Sequence, residues 1–257
     1  MYEENPAFQQ PDNLDARVWR YMDFFKFVSL LQKSALYFAR ADKLDDPFEG
    51  SYPKLNVSAR MSYAETLEFP SPEARTNAIK EFQNMGDFFK QWRKYIAINC
   101  WHLNDHESAA MWQLYATSNN GIAVQSTYRH LRDAFEVTTE KVFLGIVKYI
   151  DYDHSVISQD IFTPFVHKRK SFQHENEVRA AILKWPAAHP DGSGLDFNSE
   201  TILHGVAVHI NTHVLVKNIY VAPGTPEWIV DTVRSVVEHY GYNFPVMQSD
   251  LDQQPVY

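Results

Sequence analysis

Three charged side chains stand at alternate positions in one short segment of the chain. The segment SFQHENEVRAAIL (171–183) contains Glu175, Glu177 and Arg179. On a helix, Glu175 and Arg179 would form an i,i+4 ion pair, which is worth roughly 0.2–0.5 kcal/mol. On a strand, all three side chains would project from one face, because side chains alternate along a strand. The apolar run that follows has no polar stripe and favours the strand, so we predict that the three residues line a cleft.

The sequence also contains two groups of residues of the types that bind metal ions. They are His102, His106 and Glu107 in the segment HLNDHE, and Asp45, Asp46 and Glu49 in the segment DDPFEG. Histidines four apart share a face on a helix, and clustered loop carboxylates suit Mg²⁺. These groups define a metal-dependent hydrolase, such as a nuclease, as an alternative function. Against it, HLND is more typical of a strand exit, and a third ligand at a familiar spacing is missing.

The elements that would position these residues are short and mixed. Strands are predicted for segments such as VWRYM, ALYFARA, IAINCW and GIAVQST, and helices for DFFKFVSLLQK, HESAAMWQLYATSNN and PEWIVDTVRSVVEHYGY. The two kinds of element do not alternate regularly enough for a doubly wound parallel sheet. We therefore predict an α+β fold, with a split mixed or antiparallel sheet and surrounding helices. The predicted organisation is a flexible arm over 1–15 and one domain over 16–257, with an inserted helical hairpin at about 58–95.

Composition and charge restrict the classes of partner. The 257 residues carry a formal net charge of −8, which disfavours a broad phosphate-binding surface. The densest basic run, His167–Lys170, is interpreted as a solvated helix end.

One cysteine, Cys100, permits no internal disulfide and fits a reducing compartment. The amino terminus does not have the pattern of a signal peptide, and no apolar run approaches the length of a membrane span, so we expect a cytoplasmic protein without a membrane partner.

Several phrases of the sequence, taken in order, resemble a known bacterial family. They are WRYMDF, LYFARADKLDDPFEG, NCWHLNDHESAAMWQLYATSNNGIAVQST, VKYIDY, KRKSFQHENEVRA and NIYVAPGTPEWIVDTVRSVVEHYG. Together they resemble the family called domain of unknown function 2971, from about Trp19 onward. Because several motifs agree in order and spacing, the resemblance is specific. It implies little about function beyond a hint of genes for anti-phage defence.

A second resemblance, to ADP-ribosyltransferases, carries more chemistry. These enzymes place an NAD-contacting Arg or His on an early strand, a Ser, Thr or Tyr on a middle strand and a catalytic Glu, often within Glu-x-Glu, on a late strand. The matching residues here are Arg20, Tyr37, the pair Ser126 and Thr127, and the pair Glu175 and Glu177. Tyr37 and Ser126 compete for the middle-strand position. Arg179, two residues after Glu177, is not part of the transferase pattern, but it shares the predicted face and is included among the residues that would bind NAD.

The resemblance implies a role for each of these residues. Glu177 would stabilise the oxocarbenium-like transition state as nicotinamide leaves NAD, and would hydrogen-bond the ribose 2′-hydroxyl. Glu175 would orient or deprotonate the acceptor, or raise the pKa of Glu177 by repulsion. Arg20 would hold the diphosphate or the adenosine ribose, and Tyr37 would stack on the nicotinamide ring. NAD is then a substrate, the acceptor is a protein or a nucleic acid, a regulatory partner protein is conceivable, and no metal is expected.

A binding module without catalysis is the remaining alternative. Met111, Trp112 and Tyr115 recur at helical spacing in SAAMWQLY and would form an exposed aromatic patch if they faced a partner. Such stripes more often belong to a core. Cys100 with His102 is also a candidate nucleophile pair, although the apolar segment around Cys100 indicates a buried and inert thiol.

Overall fold

The computed structural model describes residues 1–115, 120–253 and 255. It is a mixed α+β structure, as predicted. The strands are β1 Arg17–Asp23, β2 Ala35–Arg40, β3 Ile96–Leu103, β4 Gly121–Thr127, β5 Phe143–Ile146, β6 Lys148–Ile150, β7 His167–Arg169, β8 Glu177–Leu183, β9 Ala187–Ala188, β10 Leu195–Asp196, β11 Gly205–His209, β12 Asn218–Val221 and β13 Val246–Gln248. The α-helices are α1 Phe24–Lys33, α2 Lys54–Thr66, α3 Pro72–Gln91, α4 Ala109–Tyr115, α5 Tyr128–Asp133, α6 Thr212–Leu215 and α7 Glu227–His239.

Short 3₁₀ turns connect several of these elements. They span Ala41–Lys43, Trp92–Lys94, Ala134–Val137, Thr163–Val166, Lys170–Glu175 and Asp250–Asp252. The helix predicted over 106–120 begins at Ala109 as α4, and its predicted end at 116–119 lies outside the described residues.

The main sheet is branched at β3. Its strands follow the order β11-β2-β3-β1-β4-β12-β13, and β8 pairs with both β3 and β5. The pair β12–β13 is parallel, whereas the other pairs of this sheet are antiparallel. Along one edge β3 pairs with β8 throughout its length. The sheet is therefore mixed, and β3 is the strand on which its parts meet.

The sheet opens along the other edge of β3. There β2 pairs with β3 at Ala97 and Ile98, and β1 pairs with it at His102 and Leu103. Between these positions, residues 99–101 have no ladder partner on that edge among the described strands. Asn99 bridges to β2 by donating from Nδ2 to the Tyr37 carbonyl oxygen at 2.9 Å. The split predicted from the sequence lies at this opening.

Two faces of the sheet are packed differently. The main core lies on the face that carries Val18 and Met22 of β1 and Val124 of β4, all buried. The opposite face carries Trp19 and Tyr21, which pack against α4 through two more buried residues, Met111 and Trp112. The helical stripe considered as a partner surface therefore belongs largely to this second core. Alternation along β1 produces both faces.

Helix α1 shows how the local sequence sets an element. Asp23 caps its first turn by accepting a hydrogen bond from the Lys26 backbone N–H at 2.8 Å. Phe27, Leu30 and Leu31 recur at helical spacing and are buried against the sheet. The helix ends where Ser34 adopts a left-handed conformation, with φ at 44°.

Helices α2 and α3 form the predicted helical hairpin, which begins at Lys54 rather than at residue 58. Ser71 caps α3 by accepting from the Ala74 backbone N–H, and Pro72 occupies the first turn. Helix α3 has no buried residue, although Phe88 and Phe89 contact Phe197 and Tyr52 with ring centroids 5.4 and 4.7 Å apart. Within the described ranges, no helix is both long and apolar enough to cross a membrane.

The amino-terminal arm, predicted to be flexible, packs along β5 in the structure. Phe8 is buried and stacks on Phe143 with ring centroids 5.7 Å apart. The Ile146 backbone N–H donates to the Gln9 carbonyl oxygen at 2.8 Å. Gly145 permits this approach, because a Cβ there would lie 2.6 Å from the Phe8 carbonyl carbon. The apolar side chain of Phe8 and the small residue on β5 explain why the arm is held.

Candidate active site

Glu177 and Arg179 lie on β8 and point to the same side, as the alternating spacing predicted. Across the β3–β8 ladder, Glu177 is opposite His102 and Arg179 is opposite Cys100. The prediction that Glu175 belongs to the same strand is wrong, because Glu175 lies in the 3₁₀ turn Lys170–Glu175. Asn176 ends that turn in a left-handed conformation, with φ at 36°, and the strand begins one residue later. Asparagine is among the residues that tolerate this conformation best.

Arg179 is the centre of a buried ion network. Its side chain has no exposed surface. Its Nε and Nη2 donate to the two carboxylate oxygens of Glu177, each at 2.9 Å. Its Nη1 and Nη2 donate to Glu49 Oε2 and Oε1 at 2.7 and 3.0 Å. Nη1 also donates to the Phe165 carbonyl oxygen at 2.6 Å. Two bidentate pairs with carboxylates thus use the hydrogen-bond donors of the planar guanidinium.

Lys168 supplies a second buried cation to the network. Its Nζ donates to Glu175 Oε2 and lies 3.5 Å from Glu177 Oε2 and 3.6 Å from Glu49 Oε1. The interpretation of His167–Lys170 as a solvated helix end is wrong, because His167–Arg169 form strand β7 and Lys168 is only 8% exposed. Ion pairs with these carboxylates stabilise Lys168 in the interior. A basic run in the sequence does not show that such partners are present.

Glu49 reaches the network from the loop between β2 and α2. Its side chain is buried, and the next residue, Gly50, has φ at 71°. A Cβ at Gly50 would lie 2.3 Å from Phe165 Cε1, so the turn requires glycine for two reasons. The sequence suggested a turn residue or a Mg²⁺ ligand at Glu49. Its partner Arg179 lies 130 residues away along the chain, and spacing gives no signal for a contact at that separation.

Arg20 joins the network through the opening in the sheet. Its Nη1 donates to the Cys100 carbonyl oxygen. Burial lowers the pKa of Arg20. Electrostatic interactions with Cys100, Glu177 and Tyr115 act in the opposite direction and raise this pKa, so the guanidinium lies within electrostatic reach of Glu177. The Cys100 side chain in turn hydrogen-bonds Glu177. Residues from β1, β3 and β8 are therefore brought to one place.

The charge state of Glu177 differs from the sequence-based expectation. Burial alone would raise its pKa, but the charges of Arg179 and Lys168 outweigh burial and lower the pKa to about 2. The repulsion from Glu175 proposed as a means of raising this pKa is overcome by the two cations. The Cys100 thiol has the opposite shift, because burial and the neighbouring Glu177 raise its pKa well above the usual range. The cysteine is thus held as an unreactive thiol.

Glu175 closes the network toward α4. Its Oε1 accepts a hydrogen bond from the Tyr115 hydroxyl at 3.3 Å, and its side chain is largely buried. Its backbone carbonyl oxygen lies 2.5 Å from His102 Nδ1. Tyr115, which the sequence offered only as part of an aromatic stripe, thus reaches the candidate site.

The two candidates for the middle-strand position are placed differently. Tyr37 on β2 is 53% exposed, and its backbone carbonyl oxygen accepts from Asn99 at the opening in the sheet. Its ring lies over Gly205 of β11, where an added Cβ would be 2.5 Å from the Tyr37 hydroxyl. Ser126 is buried and lies on the main-core face of β4, as alternation from Val124 requires, and its hydroxyl donates to the Leu215 carbonyl oxygen at 2.5 Å. Glu177 faces the other side of the sheet.

The structure joins Glu175, Glu177 and Arg179 in one ion network. Arg20 starts from the same face of the sheet as Ser126, because it pairs with Val124, but it approaches the network at the opening by donating to the Cys100 carbonyl oxygen. Ser126 is instead bound within the main core.

Three of the residues proposed as metal ligands, Asp46, Glu49 and Glu107, are engaged in other contacts. Among the described residues, no group of three or more His, Cys, Asp or Glu side chains could hold a metal ion. Asp46 accepts from Arg169 Nη2 at 2.8 Å, and Glu49 is bound to Arg179. Glu107 accepts from Trp112 Nε1 and from the Ser249 hydroxyl. The requirement of the metal-dependent alternative, three of these ligands around one point, is not met.

A cleft of about 530 Å³ lies beside the ion network and has a different lining. It is bordered by the loop before α2, the end of β6 and the residues that follow β7. Arg20, Glu175 and Glu177 do not line it. The prediction that Glu175, Glu177 and Arg179 line a cleft is not confirmed, because their side chains are buried in the ion network and this cleft is a separate feature of the fold.

No protein-family model and no curated protein matches the chain, so the resemblance to the domain of unknown function 2971 family remains a prediction. Among solved structures, the chain is similar to DarT of Thermus sp. 2.9. The complex of that protein with ADP-ribosylated ssDNA matches at 9% identity and a TM-score of 0.39, over 95% of this chain and 97% of that one. Its complex with NAD+ matches at 8% identity and 0.39, over 96% and 100%. A likeness at this identity and TM-score does not establish a shared activity.

Proposed function

We propose that the protein is an NAD-using enzyme of the ADP-ribosyltransferase type, with its reacting centre at the ion network around Glu177. The observation that supports this most directly is that Lys168 links Glu175 and Glu177, while Arg20 approaches within electrostatic reach of Glu177 at the opening in the sheet. Arg20, Glu175 and Glu177 come from β1, from the turn before β8 and from β8 itself. NAD is the substrate in this proposal.

The charges of the network suit a cationic transition state. The carboxylates of Glu49, Glu175 and Glu177 face the cations Lys168 and Arg179, and Arg20 brings the sum of these charges to zero. The negative charge available to a developing cation is therefore the local charge of the Glu177 carboxylate. In a water-poor site such a charge interacts more strongly with a developing cation than it would in water. Because the pKa of Glu177 is lowered to about 2, its carboxylate is ionised at neutral pH.

Each residue has a definite part in the proposed reaction. Glu177 stabilises the ribosyl cation as the bond from C1′ to the nicotinamide nitrogen breaks and its electron pair leaves with nicotinamide. Glu175 accepts the proton that the acceptor loses as its nucleophilic atom bonds to C1′. Arg20 pairs with the diphosphate, a task suited to a planar guanidinium. Arg179 and Lys168 position the carboxylates, and Tyr37 stacks on the nicotinamide ring.

The biological setting belongs to the same proposal. A protein or a nucleic acid is the acceptor, and a regulatory protein partner would restrain the activity. A role in phage defence or as a toxin is supported only by the family resemblance of the sequence phrases. Cytoplasmic location is supported by the single cysteine.

The test uses NAD labelled in its adenylate portion. Purified protein is incubated with the labelled NAD in a bacterial lysate, and the label on protein, DNA and RNA is measured together with free nicotinamide. Wild type should transfer label, and Glu177→Gln should transfer at least about 100-fold less, as expected when a transition-state contact is lost. Glu81→Gln, an exposed glutamate on α3, is the matched control and should behave as wild type.

Stability must be checked in parallel, because Glu177→Gln weakens a buried ion pair. Circular dichroism and thermal unfolding identify a variant that has lost its fold. Arg20→Gln is a second variant, which leaves the pairing of Arg179 with its two carboxylates intact and should mainly raise the KM for NAD. If wild type consumes no NAD in lysates from several bacteria, or if both variants fold and transfer label normally, the proposal is wrong.

A further inference from the structure

The cleft of about 530 Å³ has a lining that the proposed transferase reaction does not use. Its volume falls within the range of sites for small ligands. Three aromatic side chains line it, those of Phe48, Tyr52 and Tyr152. The cleft lies where the loop before α2 approaches the two-stranded sheet formed by β6 and β7.

The aromatic wall is held in place by specific contacts. The rings of Phe48 and Tyr152 meet edge to face, with centroids 5.4 Å apart. The guanidinium of Arg169 lies 4.2 Å from the centroid of the Phe48 ring and donates to Asp46 at 2.8 Å. The Phe48 ring remains 38% exposed. A large exposed ring that is fixed in orientation provides a surface on which a flat ligand ring can stack.

Positive charge lies beside this wall. Arg169, Lys170 and Lys54 all line the cleft. Lys170 makes no ion pair within 4.0 Å among the residues that the structure describes, whereas Lys54 is bound to Asp153 at 2.6 Å. Asp151 lies near enough to Lys170 to interact with it electrostatically. An exposed ammonium group that is not held in a close ion pair within the described part of the chain, next to an arginine that is one-third exposed, suits a single phosphate group.

Negative charge at the rim restricts the ligand further. Asp151 and Asp153 also line the cleft. Together with the net charge of −8 of the chain, they would repel a long polyanion more strongly than a ligand with one phosphate. The lining therefore favours a small ligand that combines a flat ring with one phosphate.

We infer that the cleft binds a nucleoside monophosphate, with its base stacked on Phe48 and its phosphate bound by Lys170 and Arg169. The same chemical group occurs as a free nucleotide and as the adenylate half of a dinucleotide. The site is distinct from the Glu177 network, because the consecutive residues Lys168 and Arg169 contact the network and the cleft respectively. The inference does not depend on the transferase proposal.

Calorimetric titration of the full chain tests this inference. Adenosine 5′-monophosphate should bind, while adenosine and inorganic phosphate should each bind roughly ten-fold more weakly or worse, since each lacks one of the two interactions. Lys170→Gln should weaken binding about ten-fold through loss of the charge, and Phe48→Leu should weaken it through loss of the ring. Lys90→Gln, which removes an exposed lysine from α3, is the matched control and should leave binding unchanged.

A parallel titration with NAD distinguishes the two sources of the ligand. Weaker binding of NAD than of the monophosphate would assign the cleft to free nucleotides. Tighter binding of NAD that Phe48→Leu weakens would assign the cleft to the adenylate half of a dinucleotide, because NAD bound at the Glu177 network would not respond to this substitution. The inference is overturned if the monophosphate gives no binding at millimolar concentration. It is also overturned if inorganic phosphate binds equally well, or if neither Lys170→Gln nor Phe48→Leu changes the affinity while both variants retain their fold.

Discussion

Arg179 and Glu49 form a bidentate ion pair in the interior, with Nη1 and Nη2 of the arginine 2.7 and 3.0 Å from the two carboxylate oxygens. Neither side chain is more than 2% exposed. The pair ties the loop between β2 and α2 to the central strand β8. Because Arg179 also holds Glu177, the position of this loop and the geometry of the candidate active site depend on the same guanidinium.

Glu49→Ala should destabilise the protein strongly. Removing one partner of a buried ion pair leaves the other charge uncompensated, which costs about 3–5 kcal/mol. Denaturant unfolding followed by circular dichroism measures the change in the free energy of unfolding. Glu227→Ala, which breaks the exposed pair with Arg234, serves as the control and should cost less than about 1 kcal/mol. Equal and small effects of the two substitutions would contradict a structural role for the Glu49 pair.

The stability of the protein should fall in acid over a range set by Glu177. Its pKa is lowered from 4.5 to about 2 in the folded state, so the folded protein holds this carboxylate ionised while the unfolded chain takes up a proton. The resulting stabilisation is complete above about pH 4.5 and is lost as the pH falls toward 2. A shift of this size corresponds to roughly 3 kcal/mol.

Unfolding free energies measured between pH 7 and pH 2.5 test this expectation. Glu177→Gln removes the titrating group and should give a flatter dependence over the same range, from a lower starting value. A variant with the same acid dependence as wild type would show that other carboxylates dominate.

Cys100 should be protected from thiol reagents in the native protein. Burial and the adjacent Glu177 carboxylate raise the pKa of the thiol, and the thiolate is the reactive form. With only one cysteine in the chain, the release of thionitrobenzoate from Ellman's reagent reports on this site alone. Reaction at pH 8 should be at least about 10-fold slower in buffer than in denaturant. Comparable rates would mean that the network around Cys100 opens readily.

Ser126→Ala should affect stability rather than the use of NAD. The hydroxyl donates to the buried Leu215 carbonyl oxygen, and leaving that acceptor unsatisfied costs about 1–3 kcal/mol. The KM for NAD should match that of wild type, because the buried Ser126 hydroxyl is bound to the Leu215 carbonyl oxygen within the main core. Tyr37→Ala is the informative comparison: its exposed ring should contribute little to stability, and under the transferase proposal its loss raises the KM. A raised KM for Ser126→Ala with unchanged stability would contradict this assignment.

Local patterns in the sequence were sufficient for many elements. The apolar helical repeat of DFFKFVSLLQK predicted α1, and the irregular succession of strands and helices predicted the α+β class. Alternation along β8 placed Glu177 and Arg179 on one face. These features depend on backbone propensities and on periodicity within a few residues, so the sequence by itself determined them.

The candidate site depended on contacts between distant segments. The alternation of charged residues from Glu175 onward did not show that Asn176 adopts a left-handed conformation and separates Glu175 from the strand. The basic run His167–Lys170 did not show that Lys168 is buried. Ser126 had the expected residue type on the expected strand, but the packing of β4 turned its hydroxyl into the core. Glu49 and Arg179 pair across 130 residues. Only the tertiary structure decided these points, because the burial of a charge is favourable only when folding brings an opposite charge from elsewhere in the chain.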